Sequence, residues 1–384
     1  MQGSIRKRGN TWSYQYFLGI IDGKKKYKSK GGFKTKGEAS KALSQAICDF
    51  ENEGYVEPKK VTMATVSLKW LDEYVKPLRK ISTYNRYREI LNNYLIPYIG
   101  NMNIVDIKPY NVERMLFTIK AENNISGATM QAIYTLLKTI MNRALVWKLI
   151  RDNPCKYVER PKRDKFIPDT LDQNDIHTIF NHLNLDKEND YIFFIGLRIV
   201  LELGLRRGEL CGLEWSDINF KDKVIKISNN MIYSNGHVYV GSLKNDDSYR
   251  VLTISDDLTN LLVELKEKQL RQAATYGEFY KTNVFNDKNY DFILKWCDGK
   301  HVHPMYFTNK LPKVLKQCGI NKKIRFHDSR HTNATLLLQQ NTDLKTIQER
   351  LGHGDIRTTM NIYSHVTKEM QIKATDRMSE ILKF

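Results

Sequence analysis

Toward its C-terminal end the chain reads His327-Asp328-Ser329-Arg330-His331, then Leu351-Gly352-His353, and reaches Tyr363 ten residues later. A second arginine signature, Gly204-Leu205-Arg206-Arg207-Gly208-Glu209-Leu210, stands well upstream of His327. Two arginines, histidines and a tyrosine in this order are parts that could attack a phosphodiester without a metal ion. Such an attack builds negative charge on the non-bridging oxygens. Fixed arginines can take that charge, because the guanidinium fork matches phosphate oxygens and stays protonated. Tyr363 is the candidate nucleophile and would form a covalent phosphotyrosine. A free tyrosine has a pKa of about 10, so ionising it at pH 7 costs roughly 4 kcal/mol. His327 could accept that proton, while Arg206 and Arg330 favour the phenolate. The departing 5′ oxygen needs a proton, and Lys244, between two strand-like stretches, is the candidate donor.

Plainer readings stand beside these. Arg206 and Glu209 lie three apart on a helix and could form only a structural ion pair. Glu209 reads as a group that orients an arginine rather than one that does chemistry. Arg207 points about 100° away from Arg206 on a helix and reads as a surface charge. His327 alone could be a core histidine, and His331 reads as packing beside the site. His301-Val302-His303 looks like a metal pair, but without further ligands it reads as a surface loop.

Taken together, the boxes resemble the tyrosine recombinase (phage integrase) family. Gly204, Arg206, Glu209 and Leu210 match its Gly-x-Arg-x-x-Glu-Leu box, and His327, Arg330 and His331 its His-x-x-Arg-His box. Leu351, Gly352 and His353 match its Leu-Gly-His box, and Tyr363 its nucleophile. Its hairpin lysine aligns with Lys244 by position. Leu203 stands where the family often has threonine. The resemblance implies Arg206, Lys244, His327, Arg330, His353 and Tyr363 as catalytic residues, with Glu209 and His331 in support. It implies a site-specific recombinase that integrates and excises a mobile element through a 3′-phosphotyrosine. The front of the chain is also similar to integrases of Gram-positive temperate phages and conjugative transposons, whose first module binds arm-type sites while a helical domain clamps the core site. Implied partners are double-stranded DNA, three further copies in a homotetramer, an excisionase and a host DNA-bending protein. Neither a metal nor another cofactor is implied. The alternatives are a type IB topoisomerase, which shares the chemistry, and a DNA-binding architectural protein with a dead site.

The elements that must position these residues fall into three pieces. Residues 1–57 read as a three-stranded sheet backed by one helix. Trp12 to Ile20 alternates, Asp22-Gly23 is a turn pair, and a helix follows Thr35. Arg6, Lys7, Arg8, Lys24, Lys25, Lys26 and Lys28 form a basic ribbon that could contact DNA, or could be a solvated hairpin. Residues 61–160 read as an all-α bundle of about four helices. Ser82-Thr83 is expected to cap one helix, Pro97 and Gly100 to end it, Pro109 to open the next, and Ser126 the last. Residues 167–384 read as a mainly helical (α+β) catalytic domain with a β insert near 223–254. In that insert Val224–Ile227 and Val238–Val240 flank a turn at Asn235-Gly236, and Tyr249–Ile254 is a third strand. Ile372 to Leu382 has amphipathic spacing, and would pack on its own domain or, as in the resembling family, on a neighbouring subunit.

Charge and composition agree with a polyanion partner. The net charge of +18 is segregated: residues 1–60 carry +7, residues 61–166 carry +9, and the remainder only +2. Solubility alone would not need such segregation. Five scattered cysteines show neither zinc spacing nor a disulfide framework, so a reduced, cytoplasmic protein is expected, nucleoid-associated when bound. No apolar stretch approaches the length that spans a membrane, and no signal peptide is visible.

Overall fold

The computed structural model describes residues 3–21, 24–53, 61–164, 169–243, 249–352 and 368–382. The chain divides into two compact units, Met1–Asp164 and Lys165–Phe384.

In the first unit, β1 (Gly3–Arg8), β2 (Thr11–Ile21) and β3 (Lys24–Phe33) form an antiparallel sheet in the order β1-β2-β3. Period-two alternation puts Tyr14, Tyr16 and Ile5 on one face, where Leu43 and Ala39 of α1 (Lys36–Glu53) cover them. The register splits the basic ribbon. Arg6 and Arg8 share the helix-free face with Gln15 and with Phe17, whose ring packs on Tyr27 at 5.3 Å. Lys7 and Lys28 alternate to the helix side, and all four cations are exposed, two on each face. Lys26 is half-buried. Lys24 and Lys25 pair with Ile21 and Ile20 in the backbone ladder. The side chains of those two lysines, and the Asp22-Gly23 turn, lie outside the described residues.

The same unit holds the helical bundle. Thr62 caps α2 (Met63–Lys69) and Ser126 caps α5 (Gly127–Val146), each through its side-chain oxygen, and Pro109 opens α4 (Pro109–Glu122). Trp70, Leu71, Leu91, Leu95, Ile119, Ile133 and Leu137 fill the core. One boundary differs from expectation. Helix α3 (Ile81–Ile90) starts before Ser82-Thr83, which fall inside its first turn, and the helical path runs past Pro97 to Ile99, where Gly100 ends it as expected. A π-turn at Leu91–Leu95 breaks the ordinary ladder ahead of Pro97. A residue without an N–H is tolerated at such a break.

The second unit is built around α6 (Glu188–Leu203), whose apolar face, including Phe193, Ile195, Leu197 and Val200, lies in the core. Short helix α7 (Arg207–Cys211) follows directly. Farther on come α8 (Asp256–Tyr276), α9 (Met305–Gln317), α10 (Ser329–Gln339), α11 (Leu344–Leu351) and α12 (Lys368–Ile381). The β insert is paired differently from the sequence reading. The strand facing β7 (His237–Ser242) across the Asn235-Gly236 turn is β6 (Asn229–Ser234), not β5 (Val224–Ile227). β5 instead lies between β4 (Ile218–Asn219) and β8 (Arg250–Thr253). Both turn residues take positive φ, 51° and 83°, as a tight hairpin requires.

The start of this unit is stitched to α10. The Leu171 N–H donates to Thr332 Oγ1 at 3.1 Å, the Lys323 N–H to Asp169 Oδ2 at 2.9 Å, and Lys322 pairs with Asp172 and Asp175. In α12 and just past it, Ile372, Met378, Ile381 and Leu382 are exposed, so the described tail does not bury them on its own unit. Among the described residues no helix is long and apolar enough to cross a membrane.

Candidate active site

Two helices end at the site with their carbonyls directed into it. Helix α6 stops at Gly204 (φ 65°) and α11 at Gly352 (φ 63°), both left-handed. A helix end leaves carbonyls without intrahelical partners and carries partial negative charge. Here arginines and an asparagine supply the partners. Arg330 Nη1 donates to Gly204 O at 2.7 Å and its Nη2 donates to Leu351 O. Arg206 Nη2 donates to Gly352 O at 3.0 Å. Arg350 Nη2 reaches Glu202 O, and Asn333 Nδ2 reaches Leu201 O and Glu202 O. The box residues, far apart in sequence, are thus moored to two helix ends.

Glycine is required where these ends meet. A Cβ on Gly204 would lie 2.5 Å from Leu351 Cδ2 and 2.7 Å from Asn333 Oδ1, on a backbone that L-residues avoid. Gly204→Ala is expected to cost about 2 kcal/mol or more through combined left-handed strain and overpacking. Chemical denaturation of the full chain checks this, and an unchanged midpoint would contradict the described packing.

Arg206 is the N-cap residue of α7 and is bound by the carboxylate three residues on. Glu209 Oε1 accepts from Arg206 Nη1 at 2.6 Å, and its Oε2 accepts the Arg206 backbone N–H at 3.0 Å. The ion pair weighed from sequence therefore exists, yet the Arg206 side chain keeps 35% exposure, enough to meet a ligand. Arg330 is only 3% exposed. Burial first, and then the Arg206 charge, pulls its pKa down to about 9, so it stays protonated at neutral pH.

Glu209 has a second partner that sequence reading missed. Arg250 Nη2 donates to Glu209 Oε2 at 2.9 Å, and Arg250 Nε donates to Arg350 O at 2.8 Å. Burial alone would raise the Glu209 carboxyl, but the Arg250 charge and hydrogen bond, then Arg206, hold it below its ordinary value. A signal existed: strand alternation places Arg250 on the same face as buried Leu252 and Ile254.

His327 keeps an edge open to solvent, while the protein packed around it strips water from much of the ring. Desolvation by the surrounding protein, then His331 and Arg330, push its pKa down, which leaves a neutral imidazole able to accept a proton. His331 is half-buried, with its ring perpendicular to that of His327 at 5.9 Å. Asp328 beneath them is fully buried and held by Arg325 at 2.8 and 2.9 Å.

Three expected site residues, Lys244, His353 and Tyr363, lie outside the described residues. Two other expectations change. Arg207 is no loose surface charge: its Nη1 donates to Thr308 Oγ1 at 2.5 Å, pinning α7 to α9. His301 is half-buried, bonded to Asn283 at 3.0 Å and edge-on to Phe285, while His303 accepts the Met305 N–H, so both serve local structure. Among the described residues no group of three or more His, Cys, Asp or Glu could hold a metal ion.

What the arrangement offers is an excess of fixed positive charge around one buried carboxylate, beside a neutral histidine. That combination favours a phosphate whose charge grows during reaction.

Comparison with known proteins points the same way. A profile described as "Phage integrase family" matches residues 169–370, more than half of the chain. An "Arm DNA-binding domain" profile matches residues 4–49, and "Phage integrase, N-terminal SAM-like domain" matches residues 62–116. The chain is similar to a "Tyrosine recombinase XerC-like" protein of Caldanaerobacter subterraneus subsp. tengcongensis, 28% identical over 91% of this chain and 90% of that one. It is 25% identical to the "ICEBs1 integrase" of Bacillus subtilis, over 79% of each. Among solved structures, the Tn1549 transposon integrase in complex with a circular intermediate DNA superposes with a TM-score of 0.70 at 18% identity, covering 83% of this chain and 99% of that one. A lambda integrase dimer bound to a COC′ core site superposes at 0.58 and 16% identity, over 93% of each. At these identities the structural likeness concerns the fold.

Proposed function

This chain belongs to the phage integrase family, and we propose that it is a tyrosine-type site-specific DNA recombinase that integrates and excises a mobile element. The observation that carries the reading is the mooring of Arg206 and Arg330 on adjacent helix-end carbonyls, one of them from Gly352, the residue just before His353.

In the proposed reaction Tyr363 attacks the scissile phosphate, with His327 accepting its proton. Arg206 and Arg330, joined by His353, hold the charge that grows on the non-bridging oxygens. Lys244 protonates the leaving 5′ oxygen. The products are a 3′-phosphotyrosine and a free 5′-hydroxyl. The partner strand's 5′-hydroxyl then attacks the phosphotyrosine and releases Tyr363. The bond energy is kept throughout, so no nucleotide cofactor is consumed. Glu209 orients Arg206, and His331 packs beside His327.

The proposed division of labour follows the charge. Residues 1–57 bind arm-type DNA, residues 61–160 clamp the core site, and residues 167–384 cut and rejoin. On the first module the helix-free face with Arg6, Arg8, Phe17 and Tyr27 is the better candidate for the groove. Four copies on two core sites would form the working assembly, with the α12 tail docking on a neighbouring subunit. An excisionase and a host bending protein set direction. The site of action is the cytoplasm, on nucleoid DNA.

A nicked suicide substrate tests the reading, because the short cleaved strand diffuses away and traps the intermediate. A covalent protein–DNA band is expected on a true core site, and digestion should map the adduct to the peptide holding Tyr363. An adduct on another residue would sink the assignment. Relaxation of any supercoiled plasmid without site preference would favour a topoisomerase instead.

A further inference from the structure

Glu209 sits between two guanidinium groups, and only one of them can reach DNA. Arg206 is partly open, whereas the Arg250 side chain is 7% exposed and Glu209 2%. Arg250 heads strand β8 on its core-facing side, and the loop that includes Lys244 immediately precedes it in sequence. Its two donor edges diverge. Nη2 holds the Glu209 carboxylate at 2.9 Å, and Nε holds the carbonyl of Arg350 at 2.8 Å. That carbonyl belongs to the last turn of α11, directly before Leu351 and Gly352, whose own carbonyls receive Arg330 and Arg206.

One buried side chain therefore fixes both supports of the catalytic arginines: the carboxylate that orients Arg206 and the helix end that receives both guanidinium groups. Stability is a poor reason for such a group. A buried ion pair seldom outperforms well-packed apolar residues of the same volume. Orientation is the better reason, since a fork with two divergent anchors fixes an angle that a point charge cannot.

We propose that Arg250 is a positioning residue of the recombination reaction, acting through Glu209 and the α11 terminus to aim Arg206 and Arg330 at the scissile phosphate. This rests on the recombinase reading above. Arg250 touches no DNA. Its loss strips the Glu209 carboxylate of its bond from Arg250 and the approach to the Leu351–Gly352 turn of one of its ties. Misplacing a catalytic group by about 1 Å can cost on the order of 100-fold in rate.

The test compares the full-length chain with Arg250→Met and Arg250→Lys. Core-site affinity is read by fluorescence anisotropy. Single-turnover cleavage is read on three suicide substrates: an ordinary phosphodiester, a methylphosphonate in which a methyl group replaces one non-bridging oxygen and removes the negative charge, and a 5′-bridging phosphorothiolate whose sulfur leaves without a proton. Arg250→Met is expected to bind within a few-fold of wild type and to cleave the phosphodiester about 100-fold more slowly. The defect should shrink to a few-fold on the methylphosphonate, which needs no aimed arginines, and persist on the phosphorothiolate. Arg250→Lys keeps the charge but not both anchors, and should cleave between the two; it carries the test if Arg250→Met does not fold. Rescue by the phosphorothiolate would place the effect on leaving-group protonation and overturn the proposal. An equal defect on all three substrates would reduce Arg250 to a structural residue and also overturn it. Failure of the wild type to form any adduct at Tyr363 would instead refute the recombinase reading itself.

Discussion

Arg330→Ala should lower single-turnover cleavage of a core-site substrate by about 10³-fold or more, the scale an arginine on a transferring phosphoryl group commands. Core-site binding should survive, because the net positive charge is concentrated in the first 166 residues, +7 and +9 of the total +18. The effect has two sources that can be separated. One is the missing charge on the phosphate. The other is the loss of both donors to Gly204 O and Leu351 O, which leaves two buried carbonyls without these partners. Each such orphan costs about 1–3 kcal/mol, so a lower melting temperature should accompany the lost activity. Arg330→Lys divides the two. It keeps a cation and can satisfy one carbonyl, so it should recover part of the stability. It cannot form the fork, so cleavage should stay low. Full activity in the lysine variant would show that charge alone suffices at this position.

Glu209→Ala should give the largest loss of stability, about 3–5 kcal/mol, because it leaves the buried Arg250 guanidinium facing Arg206 with no carboxylate between them. Denaturant midpoints of the full chain measure this. The pH dependence has a definite sign. Arg250 and Arg206 hold the folded carboxyl below the ordinary glutamate value of about 4.3. A depressed folded pKa contributes stability that is fully present above the unfolded value. It is lost as pH falls through the folded value. Wild type should therefore lose stability in the acid range below about pH 4, and Glu209→Gln should lack that portion of the loss. An identical acid limb in both proteins would mean that other carboxylates account for it.

Much of the site could be read from the chain because its chemistry is packed into short boxes. Arg206 and Glu209 share one turn, and His327, Arg330 and His331 share another, so local geometry already joins them. Helix starts with a real cap or proline, at Pro109 and Ser126, were legible for the same reason. The start near Ser82 was not, because a hydroxyl inside a first turn looks the same in sequence as one at the cap. The β insert was misread because Val224–Ile227 has two apolar candidates downstream, and only tertiary pairing selects β8. Arg250 escaped because its partners are Glu209 and Arg350, distant along the chain. The period-two pattern says that it faces inward but not what it meets. The helix-end mooring was equally hidden, since a backbone carbonyl leaves no mark on residue identity.

The stitching of Leu171 to Thr332, with Lys322 and Lys323 tied to Asp169, Asp172 and Asp175, has a mechanical consequence. The chain enters its second unit already fastened to the helix that carries Arg330, two residues from that arginine. A pull on Asp169, Leu171 or Asp172 is delivered to this helix and to the loop in front of it. The fastening couples the first described residues of this unit to the helix of Arg330, so a displacement of one is a load on the other.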